Sequence, residues 1–166
     1  MNVGVGRLNK ELKQYTEINK QNEEKGELGQ ISLYLRDDGR SLYKWFAKLK
    51  GPSDSPFEKG IFIIQIDIPN EYPMKAPECK FITKIFHPNI NFETGEICHE
   101  LLKDKWLPSC SIETVCRMIL DLVMHPNADS PLNCDAGNLI RYGDLLGFKY
   151  LAQMYTIDYA NKEINN

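Results

Sequence analysis

Apolar residues at Val5, Leu8, Leu12, Tyr15 and Ile18 recur at three- and four-residue steps, which predicts an amphipathic helix over about residues 5–20. Arg7, Lys10, Lys13 and Lys20 fall on its other face, and a polar loop, QNEEKGELG, follows. From Ile31 the period shortens to two. Ile31, Leu33 and Leu35 alternate with polar neighbours, and Asp38-Gly39 is set for a hairpin turn. Tyr43, Trp45, Ala47 and Leu49 alternate in a second strand, which Gly51-Pro52 stops. The turn-rich GPSDSPFEKG leads to a third strand over Ile61 to Ile68. Pro69, Pro73 and Pro77 then break the chain before a short strand from Cys79 to Thr83. Connections of hairpin length predict a four-stranded antiparallel meander.

Beyond residue 110 the period returns to that of a helix. Ser111 can cap a helix carrying Glu113 in its first turn, where a carboxylate suits the helix dipole. Ile112, Val115, Ile119 and Leu122 give that helix one apolar face, and His125-Pro126-Asn127 ends it. Residues 134–142 and about 144–160 read as two more helices, the last with Phe148, Leu151 and Tyr155 at helical spacing. Helix, four strands and then helices packed on one sheet face make an α+β layout. With no linker or repeat, residues 1–166 are expected to form a single domain.

Composition narrows the function without naming it. The chain has 42% hydrophobic and 26% charged residues, the balance of an ordinary globular domain. A net charge of −3 argues against a general nucleic-acid binder, which is usually basic. The N-terminus has no apolar run of signal-peptide length, and Ile61 to Ile64 is far too short to span a bilayer. A soluble protein is expected, with any membrane location supplied by a partner.

Five cysteines stand at 79, 98, 110, 116 and 134, without the paired short spacings of a zinc site. Cys79, Cys116 and Cys134 are expected to be reduced and mostly buried. Cys98 differs because it follows Gly95-Glu96-Ile97 in a polar segment outside any regular element. From the residues alone a reactive thiol and a buried structural one both stay open. No His or Lys sits where it would guarantee a thiolate, although exchange between near-equal thiols needs little driving force.

The segment His87 to Cys98, HPNINFETGEIC, with Trp106-Leu107-Pro108 eight residues later, resembles the active-site segment of the ubiquitin-conjugating enzymes. The order of elements is similar too, so the resemblance covers roughly residues 5–155. It implies the ubiquitin-conjugating fold and a catalytic Cys98 that carries ubiquitin as a thioester. It also implies no cofactor and no metal. Asn89 would stabilise the oxyanion or hold the loop, with a self-bonded turn asparagine as the plain alternative. His87 would brace the loop rather than act as a base, and Pro88 would fix the turn.

Three departures bear on transfer. Members of the family often follow the cysteine with Leu-Asp, where this chain has His99-Glu100. Many carry Asp-Asp-Pro-Leu at the gate to the active site, where this chain reads Asp129-Ser130-Pro131-Leu132. Ser130 cannot supply the charge that positions an incoming lysine, although Asp129, Glu100 or phosphorylation of Ser130 could in part. The loop from Asn89 to Cys98 is also one residue longer than in the shortest members.

Partners follow from the same resemblance. Met74, Leu107, Pro108 and Ser109 match the loops gripped by RING-type ligases, and the plain alternative is that Met74 packs under its own loop. Arg7, Lys10 and Lys13 match the face that meets the ubiquitin-activating enzyme, the alternative being a solvated charge face. Cys-His-Glu-Leu-Leu-Lys and the Asp-Ser-Pro gate are similar to the peroxisomal branch of the family known from yeast. That branch is cytosolic, is held at the peroxisome by a membrane-anchored partner, and modifies an import receptor, in part on cysteine. The remaining readings are a conjugating enzyme for a ubiquitin-like modifier and a non-catalytic ubiquitin-binding variant, which normally lacks the cysteine.

Overall fold

The computed structural model describes residues 3–36, 39–98 and 106–160. Its elements run α1 (Val3–Glu24), β1 (Ile31–Leu35), β2 (Lys44–Lys50), β3 (Ile61–Asp67), β4 (Glu78–Phe81), α2 (Ile112–Met124), α3 (Cys134–Arg141) and α4 (Leu145–Tyr159). The strands pair antiparallel in the order β1-β2-β3-β4, so each is joined to its sheet neighbour. This is the expected α+β meander. Asp38 lies outside the described residues, while Gly39 after it has φ +79°.

Strand alternation decides which side chains reach the core. Trp45, Ala47 and Leu49 of β2 and Phe62, Ile64 and Ile66 of β3 are buried on one face. Ile112, Val115, Cys116, Ile119 and Leu122 of α2 close that face into one cluster. Ser111 caps α2 by accepting from the N–H of Thr114, and Thr114 Oγ1 accepts from the N–H of Ser111.

Two packing details differ from the sequence pattern. The buried face of α1 is Gly4, Leu8, Glu11, Tyr15 and Asn19, whereas Val5, Leu12 and Ile18 are only half-buried. Glu11 and Asn19 break the apolar pattern yet sit inside, because each is hydrogen-bonded there. The last two helices do not all share one sheet face. Instead α4 stands on the segment after β4, where Phe86 and Phe92 meet Tyr155 at ring-centroid distances of 5.4 and 5.1 Å. Phe148, Ala152 and Thr156 form its buried side, and Leu145, Leu146, Tyr150 and Ile157 are exposed.

Candidate active site

The segment from His87 to Cys98 is held by its own backbone. The N–H of Cys98 donates to Asn89 O at 2.9 Å, Ile90 bridges Ile97, and the N–H of Asn91 donates to Glu96 O at 2.8 Å. Gly95 turns the strip back with φ +73°, and its carbonyl accepts from the N–H of Phe81. A Cβ at Gly95 would lie 1.8 Å from Phe81 O, so only glycine fits this position. Cys98 is thus placed just past a short paired strip, half-buried and free of any disulfide. A thiol in that setting is fixed at the backbone in a residue that is only partly covered.

Three consecutive carbonyls of the His-Pro-Asn tripeptide go to three destinations. His87 O accepts from Ile90 N, Pro88 O from Leu132 N and Asn133 N, and Asn89 O from Cys98 N. The Pro88 bonds tether Asp129-Ser130-Pro131-Leu132, the segment expected to form the gate, beside the one that carries Cys98. Asp129 and Ser130 are exposed there, and Arg141 of α3 donates to Ala128 O at 2.7 Å. The gate is therefore pinned at both ends while its polar side chains face solvent.

Asn89 is 2% exposed. Its Nδ2 donates to Asn127 O at 2.7 Å and its Oδ1 accepts from Asn127 N at 2.8 Å. One Nδ2 hydrogen remains beyond that pair. Asn127 in turn accepts from Asp129 N through Oδ1, so Asn89 braces the start of the gate. Sequence reading saw residues 125–127 only as a helix stop, because the partner is a backbone group 38 positions away.

His87 is fully buried against Phe57, with ring centroids 6.0 Å apart. Its Nδ1 accepts from Asn89 N, which places the ring proton on Nε2, near the carbonyls of Leu122 and Val123 but in hydrogen-bond geometry with neither. Burial pushes the imidazole down to about 3, and those carbonyls only partly oppose it. At neutral pH the ring is uncharged and has no route to a substrate.

Other thiols are set apart by their surroundings. Burial pushes Cys79 up to about 12 and Cys116 well above the usual thiol value. Cys134 is exposed, contrary to the sequence expectation, because it occupies the first turn of α3 beyond the Asn133 cap. His99 and Glu100 lie outside the described residues.

A second cluster forms where α1 meets the segment 106–112. Met74 is 71% exposed and Leu107 62%, with Pro108 and Ser109 exposed beside them. Trp106 Nε1 donates to Pro73 O at 2.9 Å, and its ring lies 5.8 Å from that of Tyr72, so the two loops form one surface. Arg7 turns inward to this surface. Its Nε bonds Glu11, Nη1 bonds Pro108 O, and Nη2 bonds Ser109 O and Cys110 O. Four of the five guanidinium donors are thereby used. Lys10 and Lys13 remain exposed on the outer face of α1.

The ubiquitin-conjugating enzyme family model matches residues 7–154. A Dictyostelium discoideum protein, ubiquitin-conjugating enzyme E2 pex4, is 52% identical over 145 residues, covering 87% of this chain and 93% of that protein. The Arabidopsis thaliana protein PEROXIN-4 is 45% identical over 145 residues, covering 87% and 89% respectively. Among solved structures, H. polymorpha ubiquitin conjugating enzyme Pex4p, in complex with the soluble domain of Pex22p, superposes with a TM-score of 0.83. It is 31% identical and covers 96% of this chain and all of that chain. The strip that presents Cys98 and the tripeptide that anchors it thus sit in a fold and a sequence shared with these enzymes, and the chain belongs to the ubiquitin-conjugating enzyme family.

Proposed function

We propose that the chain accepts ubiquitin on Cys98 and passes it to a substrate with the help of a RING-type ligase. The sulfur attacks the thioester carbonyl carbon of ubiquitin on an activating enzyme. A new C–S bond forms at Cys98, and the activating enzyme's sulfur leaves as the thiolate. An acceptor amine then attacks the same carbon, Cys98 leaves, and the amine gives up a proton to form the amide. A thiol acceptor would yield a new thioester by the same exchange. The observation that carries this reading is the half-buried, unbridged Cys98 fixed by Asn89 at the end of a short strip.

Lys10 and Lys13 are the outward charges that would meet the activating enzyme, with Arg7 holding the neighbouring loop. Met74, Leu107, Pro108 and Ser109 offer the apolar, proline-fixed surface that a ligase would grip. The peroxin-4 names of the relatives support work at the peroxisome, and the resemblance of the Cys98 and Ser130 segments to the peroxisomal branch makes its import receptor the substrate to test. Among the described residues no helix is long and apolar enough to cross a membrane. A membrane-anchored partner, comparable to the Pex22p whose soluble domain accompanies Pex4p, would supply the location.

Incubation with activating enzyme, ATP and ubiquitin tests the thioester. The chain gains an adduct that a thiol reagent removes, and Cys98→Ser converts it to a more stable ester. An undiminished thiol-sensitive adduct on Cys98→Ala would reject the assignment. Loading with a panel of ubiquitin-like modifiers separates ubiquitin from its relatives.

A further inference from the structure

We propose that Glu11 is a positioning residue for ligase-stimulated transfer, holding the two ligase-facing loops in one arrangement before the ligase arrives. This rests on the ligase surface proposed above. Glu11 is 9% exposed, an unusual setting for a carboxylate on a helix whose other charged residues, its partner Arg7 apart, are exposed. Both of its oxygens are used. Oε1 accepts from Arg7 Nε at 3.0 Å and from Tyr72 OH at 2.7 Å, and Oε2 accepts from the N–H of Ile112 at 2.9 Å. Charge-assisted bonds to three separate segments make one carboxylate the junction of α1, the loop around Tyr72 and the start of α2.

Each arm reaches the exposed surface by one further step. Arg7 grips the carbonyls of Pro108, Ser109 and Cys110, which lie between Leu107 and the Ser111 cap. Tyr72 precedes Pro73, whose carbonyl accepts from Trp106, and Met74 follows directly. Glu11 therefore touches neither Met74 nor Leu107, yet both hang on bonds that begin at its carboxylate. A surface fixed in advance binds with less ordering cost, because its side chains and loops are not immobilised at the moment of contact.

Replacing the carboxylate by its amide keeps the shape and removes the charge. Glu11→Gln should raise the concentration of a RING domain needed for half-maximal stimulation of discharge by about fivefold, the scale of one weakened hydrogen bond. The maximal stimulated rate, thioester loading and ligase-free discharge to lysine should all stay within about twofold. The probe is an isolated RING domain that stimulates discharge from the unaltered chain. Tyr72→Phe, which removes only the hydroxyl, should act in the same direction and serves if Glu11→Gln does not fold. Half-saturation unmoved by both changes, while Met74→Ala and Leu107→Ala shift it, would overturn the positioning role. Half-saturation unmoved by Met74→Ala and Leu107→Ala would instead overturn the ligase surface itself.

Discussion

The side chain of Asn89 and the backbone of Asn127 bond each other in both directions, at 2.7 and 2.8 Å. Asn89→Asp would keep an acceptor for Asn127 N but turn a second oxygen toward Asn127 O. It should lower stability by about 1–3 kcal/mol, the cost of leaving partly buried polar groups unmatched. Single-turnover discharge should slow with it as the gate loosens. Urea unfolding and discharge assays check the two effects together. Slowed discharge at an unchanged unfolding midpoint would assign the carboxamide to the oxyanion rather than to the loop.

His87 makes stability depend on pH in a definite window. Its folded pKa of about 3 lies below the ordinary 6.5, so between those values the unfolded chain takes up a proton that the folded chain refuses. The stability tied to the neutral ring is therefore full above about pH 6.5 and is lost as pH falls toward 3. Its slope approaches about 1.4 kcal/mol per pH unit. His87→Asn, which can keep an acceptor for Asn89 N, should flatten the curve by one proton's worth. Urea midpoints at pH 4, 5 and 6 measure it.

Two glycines with left-handed φ should respond differently to alanine. Gly143 has φ +80° and open space around it, so Gly143→Ala should cost about 1 kcal/mol. Gly95 has φ +73° and Phe81 O in the place of a Cβ, so Gly95→Ala should cost at least about 2 kcal/mol. Only the second should also reduce thioester loading, since it displaces the strip that carries Cys98. Thermal unfolding and loading assays on both variants make the comparison.

Ser130 is exposed in a gate whose backbone is already pinned, so a new charge there should act without refolding the loop. Ser130→Asp should speed discharge to free lysine by several-fold, because a carboxylate holds the attacking amine in reach and can take its proton. The gain should be smaller for free cysteine, which attacks as an anion that the carboxylate repels. Equal gains for both acceptors would remove Ser130 from the choice between them.

Met74→Ala and Pro108→Ala should weaken ligase-stimulated discharge and leave the intrinsic lysine rate unchanged. Met74 is mostly exposed, so its loss should cost little stability. Titration with a RING domain, read beside a thermal melt, checks both statements.

The fold was largely legible because local pattern and packing agree along most of this chain. The strand alternation from Ile31 to Asp67 and the cap at Ser111 are local signals, and each element stands where its period placed it. The apolar period of α1 left out Glu11 and Asn19, whose place on the buried face follows from partners elsewhere in the chain. The docking of α4 on Phe86 and Phe92 was hidden for the same reason, as no residue within α4 says what it meets. At the site, the tripeptide and Cys98 stood out in the sequence. Asn127, Arg141 and Tyr72 did not, because they act through backbone carbonyls or across long separations that no spacing encodes.

Pro88 and Asn89 also fix a length. The gate hangs from the carbonyl of one and Cys98 from the carbonyl of the next. The backbone of Cys98 and the 129–132 segment are thus linked through adjoining carbonyls, one peptide unit apart. On the proposed function, that one unit also sets how near the 129–132 segment stands to the sulfur that an acceptor has to reach.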